Sequence, residues 1–516
     1  MRVAGVALLA ALSLVAAVPA AEPTKTDLLF AVEKQLRVAN ELAGPSVACV
    51  VVSKSDRYLK PTGTDKPGKL GGYDIREFLK AHPTETALAK QLDLADPRTI
   101  ADHGYACGVV IDPAGLILTP YHVVEGATKV YVHLPGRVGS YADVHAADGR
   151  HDLAVLKLID PPAMLTAIKF ADVRRYDRGD KKANVFAGKL TVTMANGYTA
   201  GIAVDRPSST LGSVTKVMAS RDIEDANINK SDNYYYYGPF LQYEAKLNEG
   251  RAESAVSGAA VLNLDGELIG LTTTSTMLSS SENALRYAFV ADECFRRVVD
   301  VLRRGEEVEY GYLGVSLGGR VDRPRTPVVV SDVVAQGPAA LAGIEAGDTI
   351  TQVNGVPIRT YDDLLVYVGS ALADTKVKLT VVRARRDVEL TVTLGKLRNL
   401  KPVIASVRPD PVFGLRVDHG SVLAQQLQLL KGGEVRISGG VPPGVMVREL
   451  APDSQAATAF KKLGDRPERW LITHVNGANV ATPTEFYKAA KGQASVKLTV
   501  RDPSEQTPRD QEVTIP

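Results

Sequence analysis

The sequence predicts a mainly β chain in which a two-barrel β unit precedes two copies of a smaller α+β module. From 107 to 290 short apolar runs alternate with turn residues (CGVVID, LILTPYHVV, KVYVHL, DLAVLKL, KLTVTMA, SVTKVMA, AAVLNLDGELIGLTT, RYAFVA), which is the spacing of strands in a sandwich or barrel. His122, Asp152 and Ser257 are separated by 30 and 105 residues, too far for helical neighbours, so only a fold that gathers remote strands and loops can unite them. After residue 309 one pattern is written twice, the mark of a repeated module.

Each element has its own signal. Arg2, the apolar run GVALLAALSLVAAV and the small residues Ala20 and Ala21 read as a secretory leader over 1–21. The alternative is an uncleaved anchor, but the run is about 16 residues, shorter than the ~20 a spanning helix needs, so no stable membrane span is expected after cleavage. Leu28, Leu29, Val32, Leu36, Val38 and Leu42 recur at helical spacing, predicting an amphipathic helix over 25–43 within an N-terminal segment 22–45. SVACVVVS then opens the barrel unit, 46–308, with a polar insert at about 54–103. Residues 221–239 form a polar loop carrying four consecutive tyrosines, read as half-buried packing or a partner contact. DECFRRVVDVLRRGE (292–306) reads as a connecting helix.

The repeats span 309–400 and 401–516. The first runs from GYLGVSL through TPVVVSDVVAQGPAALAGIEAGDTITQVNGVPI, and the second from FGLRV through GVMVRELAPDSQAATAFKKLGD and WLITHVNGANV. In each, a strand leads to a small-residue helix and then to a Val-Asn-Gly hairpin turn. Asn354-Gly355 and Asn476-Gly477 suit the positive φ angles that turn requires. Residues 418–440 of the second copy read as a polar, Gly-containing insertion.

Composition narrows the function. With 61 basic and 59 acidic side chains the net charge is +2, which gives no sign of a nucleic-acid partner. Cys49, Cys107 and Cys294 are too few and too odd in number for a disulfide framework. Cys49 and Cys107 lie in apolar strands and read as buried thiols, with a Cys49 to Cys107 bridge as the alternative. Their spacing fits no zinc pattern, and no metal or other cofactor is expected.

The three spaced residues carry the chemistry. A hydroxyl nucleophile needs an imidazole to take its proton and a buried carboxylate to hold the imidazole's tautomer. His122 in LILTPYHVV, Asp152 at the head of DLAVLKL and Ser257 in AVSGAAVLNLDGELIGL supply that set, with Ser254 as the runner-up nucleophile. His103, His133, His145 and His151 lack comparable contexts. His151 adjoins Asp152, but neighbours in a strand point to opposite faces.

GVVIDPAGLILTPYHVVEGA, HDLAVLKL and VLNLDGELIGLTT, in this order and followed by the repeats, resemble the HtrA/DegP-like (high-temperature-requirement) serine peptidases. The resemblance covers nearly all of the mature chain. It implies a chymotrypsin/trypsin-like double β-barrel followed by two PDZ domains, in a periplasmic or secreted, ATP-independent endopeptidase acting on unfolded or damaged proteins. It also implies a trimer-based homo-oligomer. Tyr312, Leu313, Gly314 and Val315 match the family's carboxylate-binding loop in the first module, and Phe413, Gly414 and Leu415 in the second, implying capture of hydrophobic C-terminal peptides.

One segment departs from the family. Where the family reads GNSGGPL, this chain has AVSGAAV. The oxyanion donors would be the backbone N–H groups of Ala255 and Ser257, and Ala255 lacks the freedom of glycine to aim its N–H inward. The alternative function is therefore a catalytically inactive relative, a peptide-binding scaffold or chaperone with a degenerate oxyanion loop.

Overall fold

The computed structural model describes residues 24–54, 69–70, 73–74, 103–136, 138–173, 188–196, 198–199, 202–203, 206–219, 239–245, 257–273, 285–318, 327–399, 402–430, 440–464, 466–505 and 507–516. The leader, most of the insert, the tyrosine run and residues Ser254, Ala255 and Val256 lie outside the described residues.

Six strands build the first barrel: β1 (Val47–Ser53), β2 (His103–Asp112), β3 (Leu116–Pro120), β4 (Lys129–Leu134), β5 (Val138–Asp148) and β6 (Leu153–Leu158). Their order is β5-β4-β1-β2-β3-β6, and β6 pairs back onto β5 to close the ring. The second barrel contains β7 (Leu190–Ala195), β8 (Ser208–Ala219), β9 (Pro239–Ala245), β10 (Ala260–Leu262), β11 (Leu268–Thr272) and β12 (Leu285–Val290), closed in the order β8-β9-β12-β11-β10-β7.

The period-2 pattern of the sequence explains how two barrels share one core. Along β6, Ala154 and Leu156 fill the first barrel, while Leu153 and Val155 face out. Along β10, Val261 points into the second barrel, and Ala260 and Leu262 face out. The outward sets meet between the barrels with Leu118, Met194, Phe240 and Leu268. Both faces of these strands are thus apolar, and each fully buried Val or Leu is worth about 1.5–3 kcal/mol.

Two helices close this layer. Helix α1 (Lys25–Ala43) begins at a capping box formed by Thr24 and Asp27 and buries Ala39 and Ala43 in the inter-barrel cluster. Helix α3 (Glu293–Arg303), capped by Asp292 on the N–H groups of Cys294 and Phe295, adds Phe295, Val298, Val299 and Leu302. A four-residue helix, α2 (Tyr121–Val124), follows β3.

The first module holds β13 (Val315–Gly318), β14 (Val328–Val333), β15 (Thr349–Val353), β16 (Val356–Pro357), β17 (Lys376–Arg383) and β18 (Arg386–Thr393), in the order β13-β14-β15-β17-β18 with β16 on β15. A two-residue strand, β19 (Ile404–Ala405), then returns to the first barrel and pairs with Ala146 and Ala147 of β5. The second module repeats the topology: β20 (Leu415–His419), β21 (Val445–Leu450), β22 (Leu471–Val475), β23 (Ala478–Asn479), β24 (Val496–Arg501) and β25 (Gln511–Ile515), ordered β20-β21-β22-β24-β25 with β23 on β22. Asn354, Gly355, Asn476 and Gly477 all take positive φ at the hairpin turns, as the sequence predicts.

Of the polar insertion expected at 418–440, residues 418–430 are instead the end of the second module's first strand and a helix, α4 (Gly420–Leu430), while 431–439 lie outside the described residues. Val422, Leu423, Ala424 and Leu427 of α4 pack against Met446 and Leu471. Its polar face meets the end of the first module, where Ser421 Oγ accepts from Lys396 N–H at 2.9 Å and Gln425 Nε2 donates to Lys396 O at 2.9 Å. The Lys396 ammonium is buried among Glu307 at 2.9 Å, Glu309 at 2.8 Å and Asp418 at 3.0 Å. Arg448 joins the same cluster, 2.7 Å from Glu307 and 3.3 Å from Asp418, so connector, first module and second module meet on two cations.

Cys49 and Cys107 face each other directly across β1 and β2, yet no disulfide joins any of Cys49, Cys107 and Cys294. Burial pushes the Cys49 thiol well up, so it rests in its protonated form.

Candidate active site

Each of the three spaced residues is carried to the site by an element that could not be replaced locally. β3 delivers the chain to α2, which places His122 in its first turn. The opening N–H groups of a helix lack partners within it. Here Asp152 supplies them, its backbone O accepting from Tyr121 N–H at 3.0 Å and its Oδ1 from His122 N–H at 2.8 Å. Its other oxygen, Oδ2, lies 2.6 Å from His122 Nδ1. Asp152 sits in a turn with φ of +51°, a left-handed conformation that Asp tolerates better than most residues.

Ser257 approaches from the second barrel, its Oγ 2.9 Å from His122 Nε2. The chain after it is pinned by both barrels. Cys107 N–H of β2 donates to Ser257 O at 2.7 Å, while Gly258 N–H and Ala259 N–H donate to Thr272 O at 2.8 Å and Thr272 Oγ1 at 2.7 Å. Gly258 has φ of +80°, and a Cβ there would lie 2.0 Å from Cys107 O. The glycine after the serine is thus required by close packing as well as by its dihedral angle.

These distances form one hydrogen-bonded line, Asp152 to His122 to Ser257. Burial would lower the His122 pKa, but the charge and hydrogen bond of Asp152 outweigh it and hold the imidazole above its ordinary value. A raised value makes the ring a better proton acceptor from a serine hydroxyl, and the tautomer with hydrogen on Nδ1 leaves Nε2 free to act. No group of three or more His, Cys, Asp or Glu suited to a metal occurs among the described residues.

Residues 106–271 match the trypsin-like peptidase domain, and residues 311–394 match the PDZ domain. A probable periplasmic serine endoprotease, DegP-like, from Brucella suis is 30% identical over 394 residues, spanning 74% of this chain and 67% of that protein. The chain belongs to the HtrA/DegP family of trypsin-fold serine endoproteases. The periplasmic serine endoprotease DegP of Salmonella typhimurium is 29% identical over 398 residues, covering 75% of this chain and 72% of its own. Among solved structures, the serine endoprotease from Yersinia pestis is 23% identical, covers 70% of this chain and 98% of its own, and superposes with a TM-score of 0.42. Family membership makes the chain a serine endopeptidase of the periplasm, and the inactive-scaffold alternative is not favoured.

The remaining predicted residues fall on the modules' first strands. Leu313 is buried, Gly314 has φ of +81°, and Val315 opens β13, the outermost strand of its sheet. In the second module Phe413 and Gly414 have φ of +55° and +85°. There the loop is closed on itself, because Leu415 N–H donates to Val412 O at 2.8 Å and Val412 N–H donates to Leu415 O at 3.0 Å. Tyr487 Oη also accepts from Val417 N–H at 3.4 Å, along the edge a peptide would pair with.

Sequence reasoning missed the supports. Thr272 and Cys107 fix the serine, and Asp148 fixes the turn carrying Asp152, accepting from Arg150 N–H at 3.2 Å and His151 N–H at 3.0 Å. His151 does diverge from Asp152, although the cause is this turn rather than strand alternation. The spacing of an Asp four residues before Asp152, D-G-R-H-D, is the one local signal that pointed to it.

Proposed function

We propose that Ser257 is the nucleophile, His122 the general base and then acid, and Asp152 the carboxylate that orients and stabilises the imidazolium. The hydrogen-bonded line at 2.6 Å and 2.9 Å carries this reading. Ser257 Oγ attacks the peptide carbonyl carbon as its proton passes to His122 Nε2. The same proton then goes to the leaving amine, and water repeats the sequence to release the acyl chain. Ala255 and Ser257 N–H are the proposed oxyanion donors.

In this reading the chain divides into a leader (1–21), a helical segment (22–45), a peptidase unit (46–308) and two PDZ modules (309–400 and 401–516), of which the second rests on the repeated strand order. Unfolded polypeptides of the periplasm are the substrates, hydrolysis is independent of ATP, and the protein works as a trimer-based homo-oligomer. Tyr312, Leu313, Gly314 and Val315 receive a hydrophobic C-terminal peptide by β-addition to β13. Phe413, Gly414 and Leu415 form the corresponding but weaker site, since the Leu415 and Val417 N–H groups are already engaged.

The test is covalent labelling with a fluorophosphonate, followed by peptide mapping, beside cleavage of unfolded casein. Both should be present in the mature protein and absent in Ser257→Ala. A label on Ser254, or casein cleavage that survives Ser257→Ala, would overturn the assignment.

A further inference from the structure

The turn that carries Asp152 is gripped from outside the barrels. Tyr310 follows α3, and its backbone belongs to the first module: its O accepts from Leu397 N–H at 2.7 Å, and it bridges to Leu372. Its side chain points the other way, into the peptidase unit, and is buried. The Tyr310 hydroxyl donates to Asp148 Oδ2 and lies 2.5 Å from His151 Nδ1, contacts 162 and 159 residues away in sequence. The His151 ring stacks on the Tyr310 ring at 5.2 Å and 19°, and the Arg150 guanidinium covers it at 4.8 Å. One phenol therefore engages Asp148, Arg150 and His151, three of the four residues leading into Asp152.

A second tie lies beside it. β19 pairs with the end of β5 that runs into Asp148, and Ser406 continues the contact with N–H to His145 O at 2.9 Å and Oγ to His145 Nδ1 at 2.7 Å. The strand that leads into the Asp152 turn is thus tied to the segment that follows the first module.

The left-handed φ of Asp152 is held by the turn, and the turn is organised by the buried Asp148 carboxylate. Burial pushes that carboxyl up, but its bonds to His151 and Tyr310 outweigh the effect and keep it ionised, so it stays an acceptor for two backbone N–H groups. Loss of the phenol donor loosens the acceptor and with it the aim of Asp152 Oδ2 at His122 Nδ1.

We infer that Tyr310 is a positioning residue for the triad, a contact through which the placement of the first module sets the orientation of Asp152. The inference rests on the reading of Ser257 as nucleophile.

The experiment uses the full mature chain and the variants Tyr310→Phe, Asp148→Asn and their combination. Fluorophosphonate inactivation gives a maximal rate and a half-saturating concentration, and amide hydrogen exchange follows Tyr121 and His122, whose N–H groups Asp152 holds. Tyr310→Phe should lower the maximal rate about tenfold, within the ~100-fold that a 1 Å misplacement can cost, with half-saturation changed less than about twofold. Exchange at Tyr121 and His122 should quicken while that of β10–β12 stays constant. The double variant should be no slower than the slower single, because both act through one unit. Inactivation of Tyr310→Phe at the parent rate, or effects that multiply in the double variant, would overturn the inference. If the parent itself never labels, the nucleophile reading fails separately, and unchanged exchange at Tyr121 and His122 in Tyr310→Phe then rejects the positioning role by itself. Should Tyr310→Phe fail to fold, Asp148→Asn decides by the same readouts.

Discussion

Replacing Gly258 with alanine tests how tightly the serine is held. The new Cβ would stand 2.0 Å from Cys107 O, 2.9 Å from Cys107 C and 2.9 Å from Pro120 Cδ. Contacts below about 3 Å are not tolerated, so at least ~1 Å of movement is needed. Cys107 cannot supply it cheaply, since its O accepts from Thr119 Oγ1 at 2.9 Å and its N–H is spent on Ser257 O at 2.7 Å. The shift falls on Ser257, and a displacement of ~1 Å at a reacting group costs about 100-fold in rate. The left-handed φ adds about 1–2 kcal/mol and the overpacking about 1–3 kcal/mol of lost stability. Gly136→Ala is the control, because its φ of +86° imposes the same dihedral strain and its Cβ would meet nothing within 4 Å. Fluorophosphonate labelling rates and thermal unfolding should show both variants destabilised, but only Gly258→Ala slowed. A folded Gly258→Ala protein labelling at the parent rate would refute the packing argument.

Three further outcomes follow from the charges. Because Asp152 holds the His122 pKa up, activity should rise with pH through a midpoint above the ordinary ~6.5, and Asp152→Asn should lower that midpoint and cut turnover about 10,000-fold. In stability the sign is opposite: protonated His122 favours the folded chain fully below about pH 6.5, and this contribution fades as pH climbs through the raised value, which titrations of Tm against His122→Gln would read. Lys396→Met should cost about 3–5 kcal/mol, since it removes the buried ammonium that Glu307, Glu309 and Asp418 share and leaves only Arg448, on Glu307 at 2.7 Å and Asp418 at 3.3 Å, and limited proteolysis should then cut between the modules.

The elements with a local signal were legible in the sequence. Helix α1 runs over the residues its apolar spacing marked, the Asn-Gly pairs turn as their chemistry demands, and each triad residue stands in a recognisable phrase. What escaped depends on contacts with no local signature. Tyr310 looks like one more apolar residue before a loop, and nothing near it announces a carboxylate 162 residues earlier. Ile404 and Ala405 are too short a run to read as a strand, and only the open edge of β5 makes them one. The 418–440 stretch was judged by its glycines, whereas Val422, Leu423 and Leu427 recur at helical spacing and decided the outcome by burial.

The facing thiols of Cys49 and Cys107 carry a last consequence. Sulfur exchange proceeds through thiolate, and here the sealed, apolar interior suppresses that form at Cys49 while denying oxidants entry to both sulfurs. An oxidising compartment therefore leaves the couple reduced for as long as its staves stay shut. Alkylating reagents reach these sulfurs only when the cylinder comes apart, so their uptake keeps time with its spontaneous opening.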